Sequence, residues 1–170
     1  LMDESAKFNI NLLDRLELED EESRATLMGL PGMTEALADA IRDWVDSDDT
    51  SREYGAESEY YESLSPPYTA KNGPLETIDE LLLVRDVTPE LLYGEDANRN
   101  GLLDPNENDG DLTPPIDNGD GVLQLGWHAF LTTVSREANL RSDGTAKIDV
   151  NNGALSDLYD ELEEEFGEDV

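Results

Sequence analysis

The chain has 170 residues, of which 37% are hydrophobic, and its 42 Asp and Glu against 11 Lys and Arg give a formal net charge of −31. The sequence contains no cluster of the Lys and Arg residues with which proteins bind the phosphates of nucleic acids, so we do not expect nucleic acid as a ligand. The absence of cysteine excludes disulfides, thiolate catalysis and cysteine zinc sites.

Short stretches near both ends of the chain are predicted to be strands. Phe8 and Ile10 alternate with polar residues in the first stretch, and Ile148 and Val150 do so in the second. This period of two is typical of half-buried strands. Apolar residues at helical spacing follow the second stretch and predict one apolar stripe on an acidic helix. The residues of this stripe are Leu155, Leu158, Tyr159, Leu162 and Phe166.

The long segment between these strands is predicted to be helical. We expect residues 17–135 to form an inserted helical domain, and residues 1–16 and 136–170 to form a small α/β layer. The predicted fold class is therefore α+β and mainly helical. The sequence has no run of about 18 apolar residues and no signal-peptide pattern. We therefore expect a soluble piece. The start at Leu1 suggests that it is cut from a longer protein, in which any membrane anchor would lie upstream.

Two helical hairpins are predicted within the inserted segment. The first turns at Leu30–Met33, and the helix that follows has an apolar face of Leu37, Ile41, Trp44 and Val45. The second, looser hairpin turns at Val84–Pro89 and continues into a helix with Leu91 and Leu92. Both resemble helix-hairpin-helix units. The neighbours of the first turn are acidic, namely Glu35, Asp39 and Asp43. Because they would repel phosphates, we interpret both hairpins as packing elements and not as DNA-binding elements.

A crowded acidic stretch follows the first hairpin. Carboxylates held close together raise one another's pKa unless a metal or a basic group intervenes, and Arg52 is the basic residue nearby. A second calcium site and a solvated acidic loop are the two alternatives for this stretch. Its acidic residues include Asp46, Asp48, Asp49, Glu53, Glu57 and Glu59.

The strongest motif of the chain is the run from Asp96 to Glu107, DANRNGLLDPNE, which matches the calcium-loop pattern D-x-[DN]-x-[DN]-G-x5-E. Ca²⁺ takes six to eight oxygen ligands, and the spacing of this pattern folds a short loop around the ion. Gly101 permits the sharp bend. The predicted ligands are Asp96, Asn98, Asn100, the carbonyl of Leu102, Asp104 and Glu107.

An alternative interpretation of the end of this loop needs no ion. Asp104 would cap a short helix that has Pro105 at its first position, and Glu107 would complete a capping box. The two interpretations can coexist. Because the sequence after Pro105 consists of turn residues, the exit helix of a true EF-hand is missing or is a single turn. We therefore predict a structural ion and not a sensor.

A third and weaker candidate for a metal site is the segment Asp117–Gly121. Asn118 and Asp120 are spaced like loop positions 3 and 5, but Ile116 stands where the first acid should be. Asp117 and Asp120 are the predicted acidic ligands. His128 is the only histidine, and we expect it at a helix surface because no nucleophile lies near it in the sequence.

The order of several segments resembles the minor pseudopilin K family of bacterial type II secretion systems. These segments are AKFNIN, LPGMTEALADAIRDWVDSDD, GAESEYYESLSPPYTAKNGPLETIDELLLVRDVTPELLYG, LTTVSREANL and AKIDVNN. The resemblance covers nearly the whole chain. It is most specific at the DWVDSDD turn, the YY, PPY and NGP passage, and the VTPEL segment.

The resemblance implies a pilin-like α/β domain interrupted by a large helical domain that binds calcium. It also implies a place at the tip of the pseudopilus, assembled with the minor pseudopilins I and J, and a periplasmic domain anchored in the inner membrane. By residue type, the acidic calcium-binding region of the family matches Asp46, Asp48, Asp49 and Glu57. We expect no enzymatic activity, and Ca²⁺ at one or more sites.

Two other classes of protein were compared with this interpretation. An acid-dependent hydrolase is disfavoured because nothing in the sequence selects a carboxylate pair with separated pKa values. A calcium-dependent adhesion or dockerin-like module uses the same loop chemistry, but dockerins have two near-identical loops and this chain has one complete loop. Adhesion is therefore the alternative function.

Overall fold

The computed structural model describes residues 4–13 and 20–135, and within the last part of the chain residues 141, 143–145, 147–148, 156, 158–159, 162–163 and 167. The chain divides into two compact units, Leu1–Ser135 and Arg136–Val170. The first unit is mainly helical with one small sheet. None of the helices in the described residues is long and apolar enough to cross a membrane.

Helices α1 (Asp20–Leu27) and α2 (Glu35–Val45) form the first hairpin, at the position that the sequence predicts. Thr34 begins α2, because its side chain accepts a hydrogen bond from the backbone N–H of Leu37 at 3.2 Å. The turn needs glycine at Gly32, where φ is +66° and a β-carbon would lie 2.8 Å from a methyl group of Leu91. Most of α2 is buried.

Helices α3 (Ser58–Glu62) and α4 (Pro89–Tyr93) are short, and a 3₁₀ helix over Ile78–Leu83 precedes α4. The second predicted hairpin therefore has a 3₁₀ helix and not an α-helix on its first side. Local capping explains both starts: Thr77 and Glu80 form a capping box, and Thr88 precedes Pro89 at the first turn of α4.

The sheet has two parallel strands, β1 (Phe8–Asn9) and β2 (Leu131–Thr132), with Phe8 opposite Leu131. The predicted first strand is thus shorter than expected, because Ile10 begins a buried 3₁₀ turn. In the second unit Ile148 lies outside regular structure, and Val150 lies outside the described residues.

The structure describes three of the five residues in the predicted apolar stripe near the carboxyl end. Leu158, Tyr159 and Leu162 are helical, whereas Leu155 and Phe166 lie outside the described residues. Leu158 and Leu162 are half-buried and Tyr159 is 56% exposed.

The core of the first unit extends from the first hairpin to the end of the unit. Trp127 is fully buried, and its indole N–H donates to the carbonyl of Pro31 at 2.7 Å. Gly94 and Gly126 let two segments meet, since a β-carbon on Gly126 would lie 2.3 Å from the nitrogen of Gly94. His128 lies in the 3₁₀ helix Trp127–Ala129 and is half-buried, at the partly exposed surface of a short helix.

Candidate metal centre

Helix α2 carries two buried carboxylates on one face, and its C-cap carries a third. Asp39, Asp43 and Asp46 are four and three residues apart, and residues at this spacing lie on the same side of a helix. Asp39 and Asp43 are fully buried, and Asp46 is 7% exposed. Carboxylates are rarely buried without a partner, so the partner of each one defines its role.

Asp39 is neutralised by arginine and is structural. The guanidinium of Arg24 donates to both of its oxygens, at 3.0 Å and 2.9 Å. Arg42 lies 3.7 Å from Asp39 Oδ1, and the backbone N–H of Tyr54 donates to Oδ2. This bidentate pair fixes α1 against α2.

Asp43 and Asp46 share one arginine. Arg52 Nη1 lies 2.6 Å from Asp43 Oδ1 and also contacts Asp46 Oδ2. The backbone N–H of Arg52 donates to Asp43 Oδ2 at 3.2 Å. Asp46 is the C-cap of α2, and its buried Oδ1 has no hydrogen-bond partner among the residues that the structure describes.

Glu57 brings a third carboxylate to this pair. Ligand oxygens of Asp43, Asp46 and Glu57 all lie within 4.8 Å of one another. Glu57 is 5% exposed, and among the described residues neither of its carboxylate oxygens has a hydrogen-bond partner. It is the N-cap of α3, but its side chain does not cap that helix. We call Asp43, Asp46 and Glu57 the acidic triad.

The electrostatics of the acidic triad favour a cation. Burial raises the pKa of Glu57 to about 7, and the charges of Asp43, Asp46, Asp49 and Asp48 add to this effect. Burial also raises the pKa of Asp46, although Arg52 opposes the shift. Within the described part of the chain, the guanidinium of Arg52 contacts two of these three carboxylates. The triad also lies at the negative C-terminal end of α2. A divalent cation with oxygen ligands would balance the remaining charge.

Access to the triad is open on the side of Glu57. A cavity of about 780 Å³ is lined by Asp49, Gly55, Glu57 and Ser58 among others. Gly55 is required there, because a β-carbon would lie 1.8 Å from Asp43 Oδ2.

The structure brings together two of the four ligands predicted in the acidic stretch, Asp46 and Glu57. Asp48 and Asp49 are exposed and lie in the loop after α2. Asp48 Oδ1 accepts from the backbone N–H of Thr50 at 2.7 Å. Asp49 Oδ1 accepts from Ser58 Oγ and from Asn72 Nδ2, at 3.1 Å and 2.9 Å. Direct coordination by Asp48 and Asp49 stays a prediction.

Sequence reasoning missed Asp43 as a candidate ligand. It treated this residue as one of the acids near the hairpin that repel DNA. Two features of the sequence could have identified Asp43 as a ligand. It lies three residues before Asp46, and it stands among the apolar residues of α2.

The loop from Asp96 begins with a series of turns in which side-chain oxygens accept backbone N–H groups. Both oxygens of Asp96 accept backbone N–H groups, from Asn100 at 3.0 Å and from Gly101 at 2.9 Å. Asn98 Oδ1 accepts from Asn100, and Asn100 Oδ1 accepts from the N–H of Leu102 at 2.6 Å. Gly101 has a φ of +70°, which explains the glycine at this position.

The end of this loop has the predicted capping box. Asp104 precedes the 3₁₀ turn Pro105–Glu107, and Glu107 Oε2 accepts from the N–H of Asp104 at 3.1 Å. Glu107 is 1% exposed, and its Oε1 is buried without a partner. Asp104 Oδ2 accepts from the amides of Asn98 and Asn100 at 2.7 Å and 2.8 Å. Asp96, Asp104 and Glu107 are more widely spaced than the acidic triad, and calcium binding by this loop stays a prediction.

The third candidate repeats the same turns. Asn118 Oδ1 accepts from the N–H of Asp120 and Asp120 Oδ1 from that of Val122, both at 2.8 Å. Burial raises the pKa of Asp117, but N–H groups of Gly110, Gly119 and Asp109 lower it below its usual value. These turns account for Asp117 and Asp120 without an ion, and their role as ligands stays a prediction.

Comparison with known proteins identifies the family. A family model described as type II secretion system (T2SS), protein K matches residues 6–93. The chain belongs to this family. The resemblance seen in the sequence is therefore confirmed. Protein K is a structural pseudopilin and not an enzyme, in agreement with the prediction of no enzymatic activity.

Relatives in this family are similar over part of the chain. The type II secretion system protein K of Aeromonas hydrophila is 43% identical over 81 residues, which are 47% of this chain and 21% of that protein. The protein of the same name from Klebsiella pneumoniae is 34% identical over 97 residues, 49% of this chain and 29% of that one. The match thus spans less than a third of either relative.

A solved structure is also similar to part of this chain. It is the GspK–GspI–GspJ complex of the type II secretion system of enterotoxigenic Escherichia coli. The sequence identity is 24%, and the match covers 51% of this chain and 34% of that chain, with a TM-score of 0.43.

Proposed function

We propose that this chain is a calcium-stabilised domain of a minor pseudopilin at the tip of the type II secretion pseudopilus. Membership of the protein K family supports the pseudopilin part. The parent protein is then anchored in the inner membrane, and this domain lies in the periplasm. Residues 1–16 and 136–170 contribute to a pilin-like layer, and the tandem hairpins of residues 17–135 form the inserted domain.

The observation that carries the calcium part is the unpartnered carboxylate of Glu57 beside Asp43 and Asp46. A buried anion without a counterion is costly, and in the described part of the chain Arg52 pairs with Asp43 and Asp46 but not with Glu57. Carboxylate oxygens are the ligands that Ca²⁺ prefers. The triad is therefore the first site that we assign to Ca²⁺, and the loop from Asp96 to Glu107 is the second.

The role of the ions is mechanical. The triad joins the C-terminal end of α2 to the start of α3, and an ion there would hold the acidic stretch against the first hairpin. An ion that binds the folded state alone stabilises it by about 2.7 kcal/mol at a hundredfold excess over its Kd. The result is a rigid domain that presents a fixed surface to neighbouring subunits.

Partner proteins follow from the family. GspK of enterotoxigenic Escherichia coli was solved in a complex with GspI and GspJ, and we propose that this chain, within its parent protein, assembles with its own pseudopilins I and J. Co-purification of the three proteins tests this assembly. If pseudopilins I and J do not bind the full-length protein in the presence of calcium, the proposed place at the tip is wrong.

The calcium part has its own test. Metal content measured on protein dialysed against calcium should show at least one bound ion, and a chelator should lower the unfolding temperature. An unchanged unfolding temperature after complete removal of the metal would contradict the proposal, whatever the outcome of co-purification.

A further inference from the structure

Arg52 already supplies a positive charge to the acidic triad. Its Nη1 lies 2.6 Å from Asp43 Oδ1 and also contacts Asp46 Oδ2, and 21% of the side chain is exposed. Within the described residues no Lys or Arg contacts the third carboxylate, that of Glu57. The chain itself therefore neutralises part of the negative charge of the triad.

Arg52 and a calcium ion would use the same oxygens. Among the described residues, three oxygens of the triad have no hydrogen-bond partner, namely Asp46 Oδ1, Glu57 Oε1 and Glu57 Oε2. Ca²⁺ takes about six to eight oxygen ligands. The guanidinium of Arg52 binds Asp43 Oδ1 and Asp46 Oδ2. These two oxygens become available to a metal ion when the guanidinium moves away.

Two cations within this cluster would repel each other. The triad offers ligand atoms that all lie within 4.8 Å of one another, and at such distances the repulsion between a guanidinium and a divalent ion is strong away from bulk water. Burial lowers the pKa of Arg52, but its hydrogen bonds to Asp46 and Asp43 raise it above the usual value. Arg52 therefore keeps its proton and relieves the repulsion by moving.

The side chain of Arg52 can move while its backbone stays in place. The backbone N–H donates to Asp43 Oδ2 at 3.2 Å, and this contact does not involve the guanidinium. Gly55 lets the same segment pass close to Asp43. Asp48 is exposed and lies within electrostatic range of Arg52. The displaced guanidinium thus has solvent and another carboxylate within reach.

We propose that Arg52 is an internal counterion that Ca²⁺ displaces from the acidic triad, so that Arg52 sets the calcium affinity of the site without being a ligand. The guanidinium leaves Asp43 and Asp46, and their oxygens then bind the ion together with those of Glu57. In the absence of calcium, the same arginine stabilises the loop after α2 against that helix. The inference rests on the proposed function, because it takes the triad as a calcium site.

Arg52→Gln tests the displacement through two effects of opposite sign. The variant should bind calcium at least about tenfold more tightly, because no competing cation remains. In chelator its unfolding temperature should fall by about 5 °C or more, because Asp43 and Asp46 lose their counterion. Titration calorimetry and thermal unfolding of the full chain measure the two effects. A purely structural role of Arg52 would weaken calcium binding and stability together.

Arg24→Gln is the matched control. Arg24 also pairs with a buried carboxylate of α2, Asp39, and 22% of its side chain is exposed, against 21% for Arg52. Both substitutions remove one positive charge, but Arg24→Gln should destabilise the chain without tightening calcium binding. Adding Glu57→Gln to Arg52→Gln should abolish the tighter binding, which assigns it to the triad and not to the loop from Asp96.

A crystal structure of the natural chain grown in calcium gives a second measurement, which does not depend on the folding of a variant. It should show Ca²⁺ on the triad and the guanidinium of Arg52 out of hydrogen-bonding distance of Asp43 and Asp46. An ion on the triad with Arg52 still bound to both carboxylates would overturn the inference. Equal tightening by Arg24→Gln, or tightening that survives Glu57→Gln, would also overturn it.

The inference and the proposed function fail in different ways. Calcium binding by the natural chain that Arg52→Gln leaves equal or weaker would keep the proposed function and overturn the displacement. Calcium binding by the Arg52→Gln variant alone would support Arg52 as the competing cation and contradict a calcium-stabilised natural domain. An absence of calcium binding by both proteins would overturn both proposals.

Discussion

Gly55 lies against the carboxylate of Asp43, so closely that a β-carbon on Gly55 would be 1.8 Å from Asp43 Oδ2. The geometry of the acidic triad therefore depends on Gly55, although Gly55 is uncharged and is not itself a candidate ligand. The missing side chain lets the segment after α2 pass beside Asp43, and the backbone N–H and Nη1 of Arg52 bind the Asp43 carboxylate.

Gly55→Ala should displace Asp43 and weaken the site. We expect a loss of about 1–3 kcal/mol in the free energy of unfolding, as for other overpacked cores, and weaker calcium binding. Denaturant unfolding with and without calcium measures both effects. Gly29→Ala is the control, since the nearest atom to a β-carbon there is 3.7 Å away. Equal effects of the two substitutions would contradict the prediction.

Glu57→Gln removes one negative charge from the acidic triad and leaves the size of the side chain nearly unchanged. Without calcium the variant should be more stable than the natural chain, because it removes a buried negative charge beside two others. With calcium it should gain less stability than the natural chain, because a ligand is weakened. Thermal unfolding in chelator measures the stability without calcium, and thermal unfolding in calcium measures the gain that calcium provides.

Glu59→Gln is the control for this substitution, since Glu59 is exposed and lies two residues away. A calcium-dependent gain in the Glu57→Gln variant equal to that of the natural chain would show that the ion binds elsewhere.

The dependence of stability on pH follows from the same residue. The pKa of Glu57 is raised from its ordinary value of 4.5 to about 7 in the folded chain. The folded state therefore binds more protons than the unfolded state between these values, and this contribution to stability is lost as the pH rises from 4.5 to 7.

Calcium should reverse this loss, because it binds the deprotonated carboxylate. In chelator, we expect the unfolding temperature to fall as the pH rises from 4.5 to 7. In saturating calcium, we expect a smaller fall over the same pH range. The Glu57→Gln variant corrects for the other acids of the chain. If the natural chain and the variant show the same pH dependence in chelator, Glu57 does not titrate in this range.

The parts of the structure that the sequence predicted are local ones. The turn at Leu30–Met33 and the capping box of Asp104 and Glu107 depend on neighbours within a few residues, where backbone geometry and side-chain chemistry decide the outcome. The chain of turns from Asp96 to Gly101 is local in the same sense. Its hydrogen bonds join residues that are two to five positions apart.

The parts that were missed depend on distant contacts. Phe8 alternates with polar neighbours whatever its partner is, so the sequence could not show that it pairs with Leu131. Asp43 is a candidate ligand because the chain after α2 folds back toward this helix and places Glu57 beside Asp43. That return is fixed by Arg52 and Gly55, neither of which belongs to a metal-binding pattern.

Glu107→Gln tests whether the loop from Asp96 binds an ion or is held by its capping box alone. Glutamine at this position can still accept the hydrogen bond from the N–H of Asp104, so the capping box survives. The substitution removes the negative charge that a calcium loop uses at its last position. If the loop binds calcium, titration calorimetry should show one fewer site or a weakened site, with little change in stability in chelator. Identical calcium binding by the variant and the natural chain would leave the capping box as the whole role of Glu107.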